Sequence, residues 1–274
     1  MITLHPIVYH FIVMEASQTV PFVDKWPLMN FNDVAFILTT YLLLILKVGP
    51  MFMESRSPFQ LKRFLLFYNA VKVLNSSFLA FKFLCYIIDK GLFPRKCEHD
   101  ERTLHIIATL YWKYMATKVL DLLDTIFFVL RKKYNQMTFL HVYHHAFMVV
   151  ITWWCLKYDP SDHWAFMAFM NCTIHSIMYS YYGVAALGPR YTKYLWWKKY
   201  LTMMQLIQFF LVIGHIVIQT YSSECPMHFG SYVVSLFNLA LFICLFTDFY
   251  RKRYKDKSFI IKPLGFACVN QYID

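Results

Sequence analysis

The sequence has little charge and few turn-forming residues. Of its 274 residues, 16% are charged, 7 are glycine and 10 are proline, and no segment repeats at a fixed spacing. This excludes collagen-like, fibrous and solenoid chains, which need a signature residue or a repeat. A chain with 58% hydrophobic and 20% aromatic residues is also too apolar for a disordered chain or an ordinary soluble enzyme, and is typical of an integral membrane protein.

Seven apolar segments are long enough to cross the bilayer, which takes about 20 helical residues. They lie near residues 34–52, 64–88, 104–130, 139–156, 164–187, 201–220 and 230–250. We therefore predict an all-α membrane protein whose seven transmembrane helices occupy residues 34–250.

The basic residues behind the net charge of +11 are distributed unevenly between the two sides of this bundle. When Lys47 is counted with the loop that follows the first span, 17 lysines and arginines fall on one side and 6 on the other. The positive-inside rule then predicts a lumenal N-terminal segment over residues 1–33 and a cytosolic basic tail over 251–274. Topology and contact with anionic membrane lipid explain the charge, so no nucleic-acid partner is predicted.

The seven cysteines have no metal-binding spacing, and no metal site is predicted. Five of them lie in the spans or in the tail. Cys97 and Cys225 lie in loops on the predicted lumenal side, where an oxidising compartment favours a disulfide between them.

Ionisable residues at membrane depth are energetically costly and are therefore candidates for a functional site. In the third span, Lys118, Asp121 and Asp124 stand at i, i+3 and i+6 and share one helix face, on which their charges neutralise one another. A purely structural salt-bridge network is the alternative. The fourth span begins with a cluster of histidines, His141, His144 and His145, that also shares a face. Burying three imidazoles without a purpose would be costly, which favours a functional site over structural histidines.

The fifth and sixth spans carry polar stripes that, taken alone, suit helix packing as well as chemistry. The fifth has Asn171, His175, Met178, Tyr179 and Tyr182, and the sixth has Thr202, Gln205 and Gln208. At a rise of 1.5 Å per residue, all four polar groups lie within about 18 Å of the predicted cytosolic surface. This common depth indicates a site open to a water-soluble cytosolic reactant.

Together these motifs resemble those of the ELO family of fatty-acid elongases, the 3-ketoacyl-CoA synthases of the endoplasmic reticulum. The matching segments are Lys118 to Thr125, the HxxHH segment Gln136 to His145, Asn171 to Tyr182, and TxxQxxQ from Thr202 to Gln208. Asp121 departs from the pattern, because many members carry glutamate there, but the charge is kept. The C-terminus lacks the dilysine-type retrieval signal common in relatives, so the compartment is expected from the resemblance alone.

The resemblance implies that a long-chain acyl-CoA condenses with malonyl-CoA to a 3-oxoacyl-CoA two carbons longer, with release of CO2 and CoA. It implies a barrel of six helices around an acyl tunnel, with no bound cofactor. The two reductases and the dehydratase of the elongation cycle, membrane lipid and a second copy of the chain are the partners it suggests. Helical periodicity does not separate side chains that face the tunnel from those that face lipid. The large side chains that are candidates to line the tunnel are Phe78, Phe81, Ile107, Tyr111, Phe166 and Phe237.

By motif match, His144 is the predicted nucleophile, which forms an acyl-imidazole, and His175 is its partner across the tunnel. His141 and His145 are predicted to orient His144 and to move protons, while Asp121 and Asp124 anchor imidazole N–H groups. The predicted substrate-binding residues are Lys118, Asn171, Tyr179, Tyr182, Gln205, Gln208, Lys198 and Lys199. The lysines among these, with Arg190 and Lys193, are expected near the cytosolic face. Binding of CoA phosphates and the usual excess of basic residues in cytosolic loops explain their positions equally well.

Two other classes of protein share some of these features. Membrane di-iron desaturases and hydroxylases also use HxxHH, but they need several histidine clusters, and His163, His175, His215 and His228 occur singly here. A non-enzymatic seven-helix transporter often shows internal repeats and broken helices, which this sequence lacks, and a receptor does not need three histidines beside two buried carboxylates.

Overall fold

A computed structural model of the chain describes residues 20–95, 100–224 and 229–254, and the regular elements in these ranges are all helical. Its long helices are α1 (Phe31–Met53), α2 (Lys62–Lys90), α3 (Glu101–Leu130), α4 (Phe139–Tyr158), α5 (Ala165–Ala186), α6 (Lys198–Ser222) and α7 (Phe229–Tyr254). The all-α prediction is confirmed, with a helix at each of the seven predicted positions. The last helix extends four residues beyond the predicted boundary at 250, into the basic segment.

Five of the seven helices, α1, α2, α4, α6 and α7, are long and apolar enough to cross a membrane. Helices α3 and α5 have the length but not the composition. They are also the helices that carry Lys118, Asp121 and Asp124, and Asn171 and His175. The polar groups that identified a candidate site are thus what lowers the hydropathy of these two helices.

Each long helix packs against two or more others. Helix α2 lies along α5 and also contacts α3, α3 packs on α4, and α6 lies between α5 and α7. Helix α4 contacts α7, while α1 packs against α3 and α4. Short connections join consecutive helices, so these helices alternate in direction and their loops gather at two ends.

Hydrogen bonds between loops mark the two ends. At one end the backbone N–H of Phe59 donates to the carbonyl of Leu130 at 3.0 Å, and most of the described lysines and arginines outside the helix interiors lie here. We call this the basic end. At the opposite end, the N–H of Glu224 donates to the carbonyl of Arg95 at 3.0 Å.

Helix α1 contains an irregular turn where it approaches α3. Residues Leu44–Val48 form a π-helical turn just before Gly49 and Pro50. A Cβ added at Gly49 would lie 2.5 Å from the Leu44 carbonyl oxygen and 2.7 Å from the Val129 side chain. Because proline lacks an N–H and crowds the preceding turn, the wider turn accommodates it. Glycine at 49 then lets α1 come close to α3.

The predicted disulfide between Cys97 and Cys225 falls on residues that the structure does not describe, so it stays a prediction. The same holds for most of the predicted N-terminal segment and tail. Cys85, Cys155, Cys172 and Cys244, which were predicted to lie in spans, are free thiols on the helices.

Candidate active site

A cluster of charges at the centre of the bundle surrounds Asp121. Its side chain is 3% exposed and forms ion pairs with Lys72 of α2 and, at 3.5 Å, with Lys118 one turn earlier on α3. With Asp124, the cluster contains two lysines and two carboxylates and is electrically balanced. The sequence showed that Lys72 lies within a span but did not assign it to the site, because its helix face could not be matched to that of α3.

Helix α5 supplies the groups on the other side of these carboxylates. The Tyr179 hydroxyl lies 2.9 Å from Asp121 Oδ1 and 2.7 Å from Asp124 Oδ2, so its hydrogen bond is shared between them. His175 Nδ1 lies 3.7 Å from Asp121 Oδ2. This separation is longer than a hydrogen bond, so the anchoring of an imidazole by Asp121 stays a prediction, whereas Asp124 is paired with a tyrosine.

Lys118 is deeper than the sequence suggested. Its ammonium donates to Asn171 Oδ1 at 2.5 Å, and the Tyr114 hydroxyl donates to the same oxygen at 3.0 Å. The side chain is 3% exposed, so it belongs to the internal network. The expectation that it lies near the cytosolic face is corrected, because a buried carboxylate and amide hold it inside.

The rings of the three histidines of HxxHH lie close together at the start of α4. Thr138 caps this helix by accepting a hydrogen bond from the His141 N–H at 3.3 Å. The rings of His141 and His145 are 4.2 Å apart between centroids, and those of His144 and His145 are 5.5 Å apart. Phe242 of α7 packs against His144 at 5.2 Å. The shared face predicted from the i, i+3, i+4 spacing is thus observed.

A hydroxyl holds His141. The Thr125 hydroxyl lies 2.9 Å from His141 Nε2, and the Tyr41 hydroxyl of α1 lies 2.9 Å from Thr125 Oγ1. Among the contacts of the described residues, Thr125 rather than Asp121 or Asp124 hydrogen-bonds a histidine of HxxHH. Thr125 was visible in the sequence only as the end of a motif, and Tyr41 gave no signal, since a lone tyrosine in a span is ordinary.

We expect Thr125→Val to lower the turnover number about tenfold, the effect of losing one net hydrogen bond of roughly 1.4 kcal/mol. The valine keeps the shape of the side chain but leaves His141 free to rotate. Steady-state rates of the chain extension that the resemblance implies, measured on purified protein, report the effect. Thr125→Ser is the matched control and should keep most of the rate. Equal losses in both variants would contradict a role for the hydroxyl.

His144 differs from His141 in its surroundings. Its ring is half-buried and has no hydrogen-bond partner among residues 20–95, 100–224 and 229–254, where its neighbours are the rings of His145 and Phe242. It is close enough to Lys118 and to His175 of α5 to interact electrostatically with both. A ring nitrogen of His144 is therefore available to a ligand.

The remaining predicted site residues are less closely joined to this network. Gln205 contacts the Met178 sulfur at 3.9 Å, and Gln208 is buried on the same helix. Tyr182 is 39% exposed. At the basic end, Lys199, Arg190 and Lys193 are exposed and Lys198 is half-buried.

An apolar cavity of about 20 Å³ lies nearer the opposite end, between α3, α4 and α5. Its walls include Tyr111, Ile151, Cys155 and Trp164. Of the suggested tunnel-lining side chains, Ile107 and Tyr111 are buried and Phe166 is half-buried. The suggestion is wrong for three others, Phe78, Phe81 and Phe237, which are exposed on the outside of the bundle.

Comparison with known proteins agrees with the motifs. Residues 26–259 match the ELO family, described as the GNS1/SUR4 family. The human very long chain fatty acid elongase 4 is 39% identical over 251 residues, which cover 85% of this chain and 75% of that protein. The very long chain fatty acid elongase 7 of Drosophila melanogaster is 37% identical over 265 residues, 92% of this chain and 79% of that protein.

A third relative, the mouse very long chain fatty acid elongase 1, is 35% identical over 259 residues, which cover 90% of this chain and 89% of that protein. Matches of this extent confirm the resemblance inferred from the sequence motifs, and the chain belongs to the ELO family.

Proposed function

We propose that the chain is a very-long-chain 3-oxoacyl-CoA synthase of the endoplasmic reticulum membrane. It condenses a long-chain acyl-CoA with malonyl-CoA and releases CO2, CoA and a 3-oxoacyl-CoA two carbons longer. The names of its relatives support fatty acid elongation. The observation that carries the mechanism is the position of the His144 ring, which lies beside the other histidines of HxxHH and has no hydrogen-bond partner among the described residues.

In the first half-reaction, a ring nitrogen of His144 attacks the thioester carbonyl carbon of the acyl-CoA. The new C–N bond forms as the C–S bond breaks, and the proton lost from the imidazole passes to the departing CoA thiolate. His145, in ring contact with His144, and His141 behind it are positioned to carry that proton. The product is a neutral acyl-imidazole and free CoA.

In the second half-reaction, malonyl-CoA loses CO2, and the electron pair of the broken C–C bond forms an enolate. The enolate carbon attacks the acyl carbon, the C–N bond breaks, and the imidazole recovers a proton. One proton is consumed overall. The balanced charge of Lys72, Lys118, Asp121 and Asp124 suits this step, because a net negative site would repel the enolate. Asn171 and Gln208 are candidates to hydrogen-bond the oxyanion.

The packing of the helices supports a barrel around an acyl tunnel. Contacts run in a closed order from α2 to α5, α6, α7, α4, α3 and back to α2. Ile151 and Cys155, in the wall of the apolar cavity, are 7 and 11 residues beyond His144, or about 10 to 17 Å along α4. We place the acyl chain along this line. The basic end is then cytosolic by the positive-inside rule, with a lumenal N-terminus and a cytosolic C-terminus.

At the cytosolic face, Lys198, Lys199, Arg190 and Lys193 lie where the phosphates of CoA enter. The expected partners are the two reductases and the dehydratase that process the product, and a second copy of the chain.

Mass spectrometry of purified protein tests the mechanism. Incubation with an acyl-CoA in the absence of malonyl-CoA should release one equivalent of CoA and add the acyl mass to the His144 peptide. Malonyl-CoA should then remove the adduct. His144→Gln, which keeps a polar side chain of similar reach, should show neither event. CoA release only after malonyl-CoA is added would contradict the acyl-imidazole route, and an adduct on another residue would reassign the nucleophile.

A further inference from the structure

Two lysines lie on the outside of the bundle at membrane depth. Lys82 of α2 and Lys113 of α3 are exposed, and their ammonium groups lie 5.8 and 5.9 Å from the centre of the Phe78 ring. Both therefore gather at one place on the surface between α2 and α3. In contrast to Lys72 and Lys118, neither has a carboxylate partner among the residues that the structure describes.

The depth of this place makes the two charges unusual. Lys113 is 12 residues from the start of α3, and Phe78 is 12 residues from the end of α2 at the same end of the bundle. Both positions are about 18 Å along the helix axes from that end. Both helices are longer than the roughly 30 Å of hydrocarbon, so when they are centred in it Lys113 lies about 10 Å inside and Lys82 about 5 Å inside. A lysine side chain reaches about 6 Å toward the interface when it snorkels, so Lys113 stays within the hydrocarbon and Lys82 lies near its edge. A charged residue facing lipid at such depth is costly and marks a functional surface.

The lysines continue a polar stripe on α3. Arg102, Thr109 and Lys113 stand at i, i+7 and i+11 and share one helix face, which starts at the opposite end and runs toward the middle of the membrane. With Lys82, these residues form what we call the cationic face. Apolar side chains flank it, among them the exposed Leu74, Phe81 and Ile106. Its composition suits contact with a protein helix better than contact with lipid tails, because a neighbouring helix can supply polar partners and lipid tails cannot.

We infer that the cationic face is the docking site for a transmembrane helix of another protein that carries an aspartate or glutamate near the middle of the bilayer. Charge complementarity identifies the partner, since the face offers two ammonium groups and no described carboxylate at their depth. A second copy of this chain does not fit. Within the described spans, the acidic side chains at mid-depth are Asp121 and Asp124, and both are engaged inside the bundle with Tyr179.

Defined peptides test this inference. The full chain is reconstituted into phosphatidylcholine vesicles with a leucine-rich transmembrane peptide that has aspartate, asparagine or leucine at its central position. Association is measured by energy transfer between fluorophores on the protein and the peptide. The aspartate peptide should bind about tenfold more tightly than the leucine peptide, in line with the strength of polar contacts between membrane helices.

The preference for aspartate should disappear in the double variant Lys82→Leu/Lys113→Leu and persist in Lys47→Leu, which removes an exposed lysine from α1. Both changes place leucine on a lipid-facing surface, so both proteins should fold. An aspartate preference that survives the double substitution would overturn the inference. So would equal binding of the asparagine and aspartate peptides, or self-association of the protein that depends on Lys82 and Lys113 in the absence of peptide.

Discussion

His144→Ala is expected to reduce malonyl-CoA-dependent chain extension by on the order of a thousandfold or more, the loss typical of removing a nucleophile. The structure gives the reason that His141 should not take over. His141 is held by Thr125 through a nitrogen at 2.9 Å, whereas His144 has no hydrogen-bond partner in the part of the chain that the structure describes. Incorporation of labelled malonyl-CoA into lipid by purified protein in vesicles measures the rate.

His105→Ala is the matched control, because it removes an exposed imidazole near the opposite end, where His105 stacks on Phe22 and meets the Trp26 ring edge-on. Its rate should stay near that of the original protein. Both variants should elute as the intact protein in detergent. Near-normal activity in His144→Ala would refute its role as the nucleophile, and an equal loss in His105→Ala would point to general damage to the fold.

Asp121→Asn is expected to destabilise the protein by about 3 kcal/mol or more, the usual effect of removing one member of a buried ion pair. Asparagine leaves Lys72 and Lys118, both buried, facing the single charge of Asp124. Thermal unfolding in detergent, followed by the loss of monodisperse protein, reports this change. Asp121→Glu keeps the charge and should lose much less stability.

A double substitution separates charge balance from chemistry. Lys72→Met together with Asp121→Asn removes one charge of each sign, so it should recover most of the stability lost in Asp121→Asn alone. Activity should stay low, because the carboxylate facing His175 at 3.7 Å is still missing. A double variant as unstable as Asp121→Asn would show that Lys72 and Asp121 are not coupled.

Much of the fold could be predicted from the sequence because the lipid bilayer restricts which structures can cross it. A bilayer requires long apolar helices, so seven segments could be located, and the shared face of His141, His144 and His145 follows from helical spacing alone. Lys72 shows the limit of this reasoning. Helical periodicity says which residues share a face, but it does not say which face of α2 meets which face of α3. The partner of Asp121 on another helix was therefore hidden.

The same limit explains the remaining differences. Phe78 and Ile107 are both large apolar residues in spans, and only the packing of the helices puts Phe78 outside and Ile107 inside. Thr125 became the partner of His141 because α3 and α4 run antiparallel from one short loop, which brings the end of one beside the start of the other. The sequence places Thr125 and the two carboxylates at similar depths, and depth alone does not say which of them contacts His141.

The two helices of low hydropathy have a consequence for how the protein enters the membrane. During synthesis, α3 emerges with Lys118, Asp121 and Asp124, and such a segment partitions poorly into lipid by itself. Helix α2 is made first and carries Lys72, which pairs with Asp121. Insertion of α2 and α3 as a hairpin would neutralise a charge as it leaves water. The ion pair at the candidate site is thus expected to assist insertion as well, so that Asp121→Asn should lower the yield of inserted chain as well as its stability.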